Sequence, residues 1–240
     1  MISEGKFRQI SSILEKRTKI IWEHENKNRK EKGENELEMY QYGFSIADCY
    51  SATVDGISLF FVFNYSFLDI ISDKILSAIE KDPNSFGTGN AQDVINALYE
   101  LSNMGYSQED YISYLQDFAC CYVLYEDKQR LSPNILRIDL LRYLKDNETT
   151  QKKEFVGGLL HSLKHFSKDG INLSVGKDVN DVSNMEDILI YIGKAFIGCG
   201  QNNPKVNLVE ISIKGGKRMK FAFYYDTDKD TYYLNTAHRI

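Results

Sequence analysis

The sequence predicts an α+β fold in which an N-terminal all-helical module, residues 1–149, precedes a small domain of two helices and an antiparallel β-meander, residues 150–240. Three observations support this division. Helix caps and helix-type apolar spacing fill the first segment, a polar break crosses residues 146–150, and strict alternation marks residues 209–225. The 240 residues, 42% hydrophobic and 26% charged, suffice for one large domain or two small ones.

The first segment opens with a predicted amphipathic helix at residues 6–30, where the apolar residues recur at helical spacing. The run Ile57–Phe63 is too continuously apolar for its periodicity to separate a buried helix from a buried strand. We expect helix from Ser66 onward. A loop rich in Gly, Asn and Ser then follows at residues 82–89.

Three further helices are predicted from their capping residues. They are a helix at 91–103 capped by Asn90, a helix at 111–127 after a capping box at Ser107, and a helix that begins at Ser132-Pro133. Because this segment holds no cluster of reactive side chains, we interpret it as a scaffold.

The second segment is predicted to contain two helices followed by three strands. The helices are expected at residues 152–168 and after the capping box at 183–186, and the strands at 209–213, 217–225 and 231–239, with turns at Gly215-Gly216 and at 226–230. This order predicts an antiparallel meander.

Charge and composition bear on partners and location. The first segment carries a formal charge of −8 and the second +3, so nucleic-acid binding is expected of the second. The longest uncharged apolar stretch has 13 residues, short of the about 20 that span a bilayer. Without a secretory signal or a lipidation motif we expect a cytoplasmic protein with no membrane partner. Four scattered cysteines predict buried thiols.

The histidines suggest a site. Three of the four, His161, His165 and His238, lie in the second segment. On a helical wheel His161 and His165 are about 40° apart and project away from the apolar stripe. Gly157 and Gly158 either leave a flat surface beside these rings or simply precede a helix that begins after Gly158. The histidines themselves are either site residues or exposed surface residues.

The predicted strands supply complementary groups. Arg218, Lys220 and Tyr224 share one face of the middle strand, and Lys217 precedes them. If the last strand pairs back along the middle one, its Thr236 and His238 lie near the start of that strand. The alternation leaves open which face His238 takes.

These residue types support metal-independent RNA cleavage. Imidazoles titrate near neutral pH and can remove and deliver protons, while lysine or arginine can stabilise charge on a phosphate. RNA carries its own nucleophile in the 2′-hydroxyl. A nuclease built from these groups therefore needs neither a metal ion nor a covalent intermediate.

The last 90 or so residues resemble a known nuclease superfamily. The segment His161-Ser-Leu-Lys-His-Phe166, a following helix, the aromatic strand 221–226 and the ending 233–239 are similar to the superfamily that groups barnase, EndoU, colicin-type and RelE-like RNases, especially its toxin and phage-associated branches. The resemblance implies metal-independent RNA cleavage. It also implies that His161, Lys164 and His165 match the family's basic helix residues, Arg218 and Tyr224 its middle-strand residues, and Thr236 and His238 the polar residues of its last strand.

The first functional hypothesis is thus an endoribonuclease at residues 150–240 behind a helical module. His161 or His165 would be the general base, His238 the general acid, and Arg218, with Lys164 or Lys217, would stabilise the phosphorane. The full predicted set comprises the catalytic residues His161, His165, His238, Arg218 and Thr236 and the substrate-binding residues Lys164, Lys217, Lys220, Tyr224 and Arg239. The expected partners are RNA and an inhibitor or antitoxin protein.

A second hypothesis comes from another class of protein. An acidic helical region could bind a protein partner, with the sheet serving only as structure and the 16 tyrosines forming core or interface. Ordinary, uncoupled histidine pKa values that do not respond to nucleotide would favour this interaction module.

Metal sites and cofactors are not expected. His161 and His165 have the spacing of a helical metal pair, but the adjacent Glu of a metalloprotease is missing and a third ligand such as His238 would have to come from the fold. The aspartates of residues 226–230 resemble the start of a calcium loop, yet Thr231 and Ala237 replace the required Gly and Glu. We interpret this run as a polar turn.

Overall fold

The computed structural model describes residues 2–38, 46–71, 73–83, 91–102, 105, 107, 111, 114–126, 133–142, 144–147, 152–155, 158–168, 173, 185–199 and 207–240. The described helices are α1 Glu4–Lys32, α2 Tyr65–Ile70, α3 Asp73–Lys81, α4 Ala91–Ser102, α5 Leu159–Lys168 and α6 Met185–Ile197. The described strands are β1 Ile46–Val54, β2 Ile57–Asn64, β3 Cys120–Tyr125, β4 Asn134–Asp139, β5 Leu144–Asn147, β6 Lys152–Phe155, β7 Asn207–Ser212, β8 Arg218–Asp226 and β9 Thr231–Arg239. The predicted α+β class is confirmed.

A mixed sheet forms the centre of the described structure. It has seven strands in the order β1-β2-β3-β4-β9-β8-β7, and β5 pairs separately with β6. Neighbouring strands run antiparallel except for β4 and β9, whose parallel ladder joins Leu136 to Tyr232 and Arg137 to Tyr233. The predicted meander of β7, β8 and β9 is confirmed.

The expectation that the first segment is all-helical is wrong, because β1 to β4 all lie within it. Residues 57–63, which could not be assigned from periodicity, belong to β2. Of the helix expected at 111–127, Tyr111 is helical, but a π-helical turn at Tyr114–Phe118 and then β3 follow it in the described residues. Strand β4 replaces the helix expected after Pro133. Both strands are buried at every position, and a strand buried on both faces shows no alternation that would distinguish it from a helix.

The boundary expected at residue 149 does not coincide with a break in the sheet, since β4 from the first segment pairs with β9 from the second. The single helix expected at 152–168 is divided into β6 and α5. Of the two interpretations of the paired glycines, the second agrees with the structure, because α5 begins directly after Gly158. Gly157, Asn90, Ser132 and the cap at 183–184 lie outside the described residues.

The two faces of the sheet are covered differently. One face packs on the apolar sides of α2, α3, α4, α5 and α6 and forms the main core. The other face is covered by α1, whose Ile10 and Leu14 pack on Val62, Tyr122 and Ile135 of β2, β3 and β4. The residues of β8 and β9 on that second face lie outside this smaller cluster. Among the described helices, none is long and apolar enough to cross a membrane.

Candidate active site on beta 8, beta 9 and alpha 5

A β-bulge in β9 determines which face His238 takes. Leu234 pairs with Phe223 and Thr236 pairs with Ala222, so Asn235 is an extra residue without a partner on β8. Before the bulge Tyr232 and Leu234 belong to the main core. After the bulge His238 lies opposite Lys220, on the other face of the sheet. In a regular ladder His238 would have pointed into the core, beside Met219.

Gly158 fixes α5 beside the second half of β9. Its backbone N–H donates to the Asn235 carbonyl at 3.0 Å, and Leu160 N–H donates to the Leu140 carbonyl at 3.2 Å. The residue has φ +102°, and a Cβ there would lie 2.9 Å from the Leu140 carbonyl oxygen and 3.1 Å from the Arg142 nitrogen. Only glycine fits this junction, which links the end of β4, the start of α5 and the bulge.

The three histidines of the second segment come together. The ring centroids of His161 and His165 are 5.2 Å apart, as expected for neighbours one turn apart on α5. The centroids of His165 and His238 are 6.3 Å apart. His165 is thus the central member of a histidine cluster, defined here as His161, His165 and His238, which α5 and β9 build jointly.

The members of the histidine cluster have unequal surroundings. Burial, together with the nearby Lys164, His165 and His238, lowers the pKa of His161 to about 4. This ring is therefore neutral at physiological pH. Its buried Nδ1 has no hydrogen-bond partner among the described residues. His238 is only partly buried.

Lys164 is buried on α5, between the two helical histidines in sequence. Burial lowers its pKa, and the positive charge of Lys168 acts in the same direction. A buried ammonium beside imidazoles raises the local positive potential and disfavours a second proton there. Lys164 therefore helps to keep His161 neutral.

Basic groups of β8 lie on the same face as His238. Lys220 is its direct partner in the ladder, and Arg218 lies two residues away. Both cations contact Glu210 of β7, with N–O distances of 3.1 Å for Lys220 and 2.7 Å for Arg218. Thr236, paired with Ala222, also faces this side. The structure thus brings together His161, His165, His238, Lys220 and Thr236, with Arg218 at the margin.

Tyr224 lies farther along this face, in a group that sequence reasoning missed. It pairs with Tyr233 across β8 and β9. The guanidinium carbon of Arg142 lies 4.9 Å from the Tyr224 ring centroid and 4.6 Å from the Tyr233 centroid. We call Arg142, Tyr224 and Tyr233 the arginine–tyrosine group. No sequence signal placed Arg142 here, because its position depends on the unpredicted strand β4.

Besides Tyr224, two predicted substrate-binding residues are not brought to the histidine cluster. Arg239 pairs with Met219, so it has the opposite orientation to His238 on β9. Lys217 lies in the turn before β8, where its carbonyl accepts from the Ile213 N–H at 2.9 Å. The predicted polar turn at 226–230 is present, since the Asp226 carboxylate accepts from the N–H groups of Asp228 and Lys229.

The chemistry of the site follows from these positions. Imidazoles that lie within one side-chain length of each other, next to an ammonium and a hydroxyl, can exchange protons with a bound phosphodiester and stabilise its charge. Within the described ranges, no group of three or more His, Cys, Asp or Glu residues is arranged to hold a metal ion. Comparison of the chain with protein-family models, curated proteins and solved structures found no match.

Proposed function

We propose that this protein is a metal-independent endoribonuclease of the toxin-like kind, which cleaves RNA by attack of the 2′-hydroxyl on the adjacent phosphorus. One observation carries the proposal. The rings of His161, His165 and His238, drawn from α5 and β9, meet with centroid separations of 5.2 and 6.3 Å. General acid–base cleavage of RNA requires one group that takes a proton and one that delivers a proton, and two imidazoles can fill these two roles.

The unequal surroundings of the rings assign their roles. Because its pKa is about 4, His161 is a weak base at neutral pH and serves as a positioning residue for His165. His165 is the general base that removes the proton from the 2′-hydroxyl. His238, on the opposite side of the cluster and next to Lys220, is the general acid.

The reaction is a transesterification in which His165 takes up one proton and His238 delivers one. The 2′-oxygen bonds to phosphorus as His165 takes its proton, and the phosphorane charge is stabilised by Lys220 and the Thr236 hydroxyl, with Arg218 at the rim. The bond from phosphorus to the 5′-oxygen then breaks as His238 protonates the departing oxygen. The products are a 2′,3′-cyclic phosphate and a 5′-hydroxyl end.

The proposal extends to partners and location. Its substrate is cellular RNA, so the proposed activity is cytoplasmic. An enzyme that degrades RNA there requires restraint, and an inhibitor or antitoxin protein with acidic side chains would complement Lys220 and Arg218. Such a partner would cover the histidine cluster.

Digestion of single-stranded RNA in EDTA tests the proposal. We expect the wild-type protein to produce cyclic phosphate ends, and His165→Ala and His238→Ala each to reduce the rate by about 10²- to 10⁴-fold. His24→Ala is the matched control, because this fourth histidine lies on α1 with its Nε2 3.9 Å from Asp228. Full activity in both cluster variants, or no activity in the wild type, would contradict the proposal and favour the interaction-module hypothesis.

A further inference from the structure

The arginine–tyrosine group lies on the same face as the histidine cluster but at the other end of the β8–β9 ladder. Tyr224 and Tyr233 are paired there, and Lys220 and His238 are paired four residues along β8. At the rise of a β-strand this separation is about 13 Å along the strand axis. A mononucleotide bound at the histidines would not reach Arg142, whereas a short oligonucleotide would.

Arg142 is held by two independent features of the fold. Its guanidinium lies against both tyrosine rings, at 4.9 and 4.6 Å from their centroids. Its backbone belongs to the junction at Gly158 that also anchors α5, since a Cβ on Gly158 would lie 3.1 Å from the Arg142 nitrogen. The cation and the two helical histidines therefore have a common anchor, which fixes their relative positions.

The chemistry of the group fits a phosphate ligand. Contact with aromatic rings uses the flat face of a guanidinium, while its N–H donors lie in the plane and match the oxygens of a phosphodiester. Burial raises the pKa of Tyr233 well above its usual range, so its phenol stays neutral and adds no negative charge. Nearby, the carboxylate of Asp226 is paired with Lys229 at 3.5 Å.

We propose that Arg142, supported by Tyr224 and Tyr233, binds a phosphodiester of the RNA strand other than the one that is cleaved. This inference rests on the proposed ribonuclease function and deepens it, because it specifies single-stranded RNA longer than a dinucleotide as the preferred substrate. The tyrosine rings position the guanidinium, and the histidines perform the chemistry at the other end of the face.

The test measures binding and cleavage separately. Binding is followed by fluorescence anisotropy with a labelled 2′-O-methyl RNA hexanucleotide, which cannot be cleaved because its 2′-oxygens are blocked. We expect Arg142→Gln to raise the Kd by about 10- to 100-fold. The slope of log Kd against log salt should fall by about 0.7, the value for one lost phosphate contact on a single strand.

Two variants serve as comparisons. Arg142→Lys keeps the charge but loses the planar donors, so we expect an intermediate Kd with the wild-type salt slope. Arg8→Gln removes an exposed arginine of α1 that pairs with Glu4, and we expect neither quantity to change. If Arg142→Gln fails to fold, Arg142→Lys decides, because a wild-type Kd for the hexanucleotide in that variant would overturn the subsite.

The outcomes for the two proposals are distinguishable. Both proposals are supported if the wild type and Arg142→Gln cleave a dinucleotide equally well and Arg142→Gln loses affinity only for the longer RNA. If equal salt slopes are found for Arg142→Gln, Arg8→Gln and the wild type, the phosphate subsite is overturned even where RNA is cleaved. Binding that depends on Arg142 without any cleavage supports the subsite and overturns the catalytic proposal. A wild type that neither binds nor cleaves RNA overturns both.

Discussion

The two parts of β9 on either side of Asn235 differ although they belong to one strand. Before the bulge, Tyr232 and Leu234 alternate into the main core in register with Tyr225 and Phe223. After the bulge, Thr236 and His238 lie on the opposite face, beside Lys220 and α5. One additional residue thus moves the even-numbered residues of β9 from the core face to the face that carries the histidine cluster. Bulges commonly redirect side chains next to active sites in this way.

Inserting one alanine between Asn235 and Thr236 would reverse the effect of the bulge on the second part of β9. With Leu234 still opposite Phe223, the inserted residue would take the place of Thr236 opposite Ala222, so His238 would turn toward the core face and Ala237 would lie opposite Lys220. We expect RNA cleavage to fall by about 10²- to 10⁴-fold, the contribution of one general acid, as measured in EDTA. Asn235→Ala is the control, because it keeps the residue count and the backbone carbonyl that accepts from Gly158. An insertion variant that folds and remains active would refute the role assigned to the bulge.

Gly158→Ala tests the junction that holds α5 against the second part of β9. The added Cβ would lie 2.9 Å from the Leu140 carbonyl oxygen at a φ of +102°, so strain and overlap combine. We expect urea denaturation to show a loss of about 2–5 kcal/mol in the free energy of unfolding. Gly33→Ala, at φ +72° with no heavy atom within 4 Å of its Cβ, should lose only about 1–2 kcal/mol. Equal losses would show that overlap at the junction is unimportant.

The pH dependence of stability tests the buried end of the histidine cluster. The folded pKa of His161, about 4, is below the ordinary value of 6.5, so the unfolded chain binds the proton more readily. Stability contributed by the neutral ring is therefore complete above about pH 6.5 and lost as the pH falls toward 4. We expect wild type to lose about 1–3 kcal/mol more than His161→Gln across this range in urea titrations, the lower figures reflecting partial exposure. Identical pH profiles for the two proteins would contradict the assigned pKa.

Glu210→Gln is expected to have the smallest effect on catalysis, and it changes only the face of the sheet that carries Lys220 and His238. Glu210 contacts Lys220 at 3.1 Å and Arg218 at 2.7 Å, so it competes with a phosphate for both cations. Since exposed ion pairs are worth at most about 1 kcal/mol, we expect the KM for RNA to fall by up to about fivefold with kcat unchanged. Asp55→Asn, which removes the partner of Lys194 elsewhere on the surface, is the control. A rise in KM for Glu210→Gln would show that Glu210 does not compete with a phosphate for Lys220 and Arg218.

Local sequence patterns were sufficient to predict much of the secondary structure of the second segment. The helical wheel correctly paired His161 with His165, and alternation predicted β7, β8 and β9. These predictions succeed because neighbours on one helix or one hairpin are close in sequence, so their geometry follows from a fixed period. Helix α6 was likewise predicted from the apolar face that contains Met185 and Ile192.

Non-local features could not be predicted in the same way. Strands β3 and β4 are buried on both faces, so their sequences lack the alternation that identifies a strand. The bulge at Asn235 follows from the pairing of β8 with β9, and Arg142 reaches the tyrosines only because β4 lies beside β9. The face that His238 takes therefore could not be predicted without the pairing register of β8 and β9.

Because β9 lies in the centre of the sheet, the histidine cluster can form only when the sheet is complete. Its parallel partner Leu136 is about a hundred residues earlier in the chain, and such distant pairings form slowly during folding. Until β9 inserts between β4 and β8, the hairpins on either side can exist but His238 has no neighbours among the other rings. Detaching this one strand would therefore separate His238 from His161 and His165 and disperse the histidine cluster without any chemical change to the imidazoles.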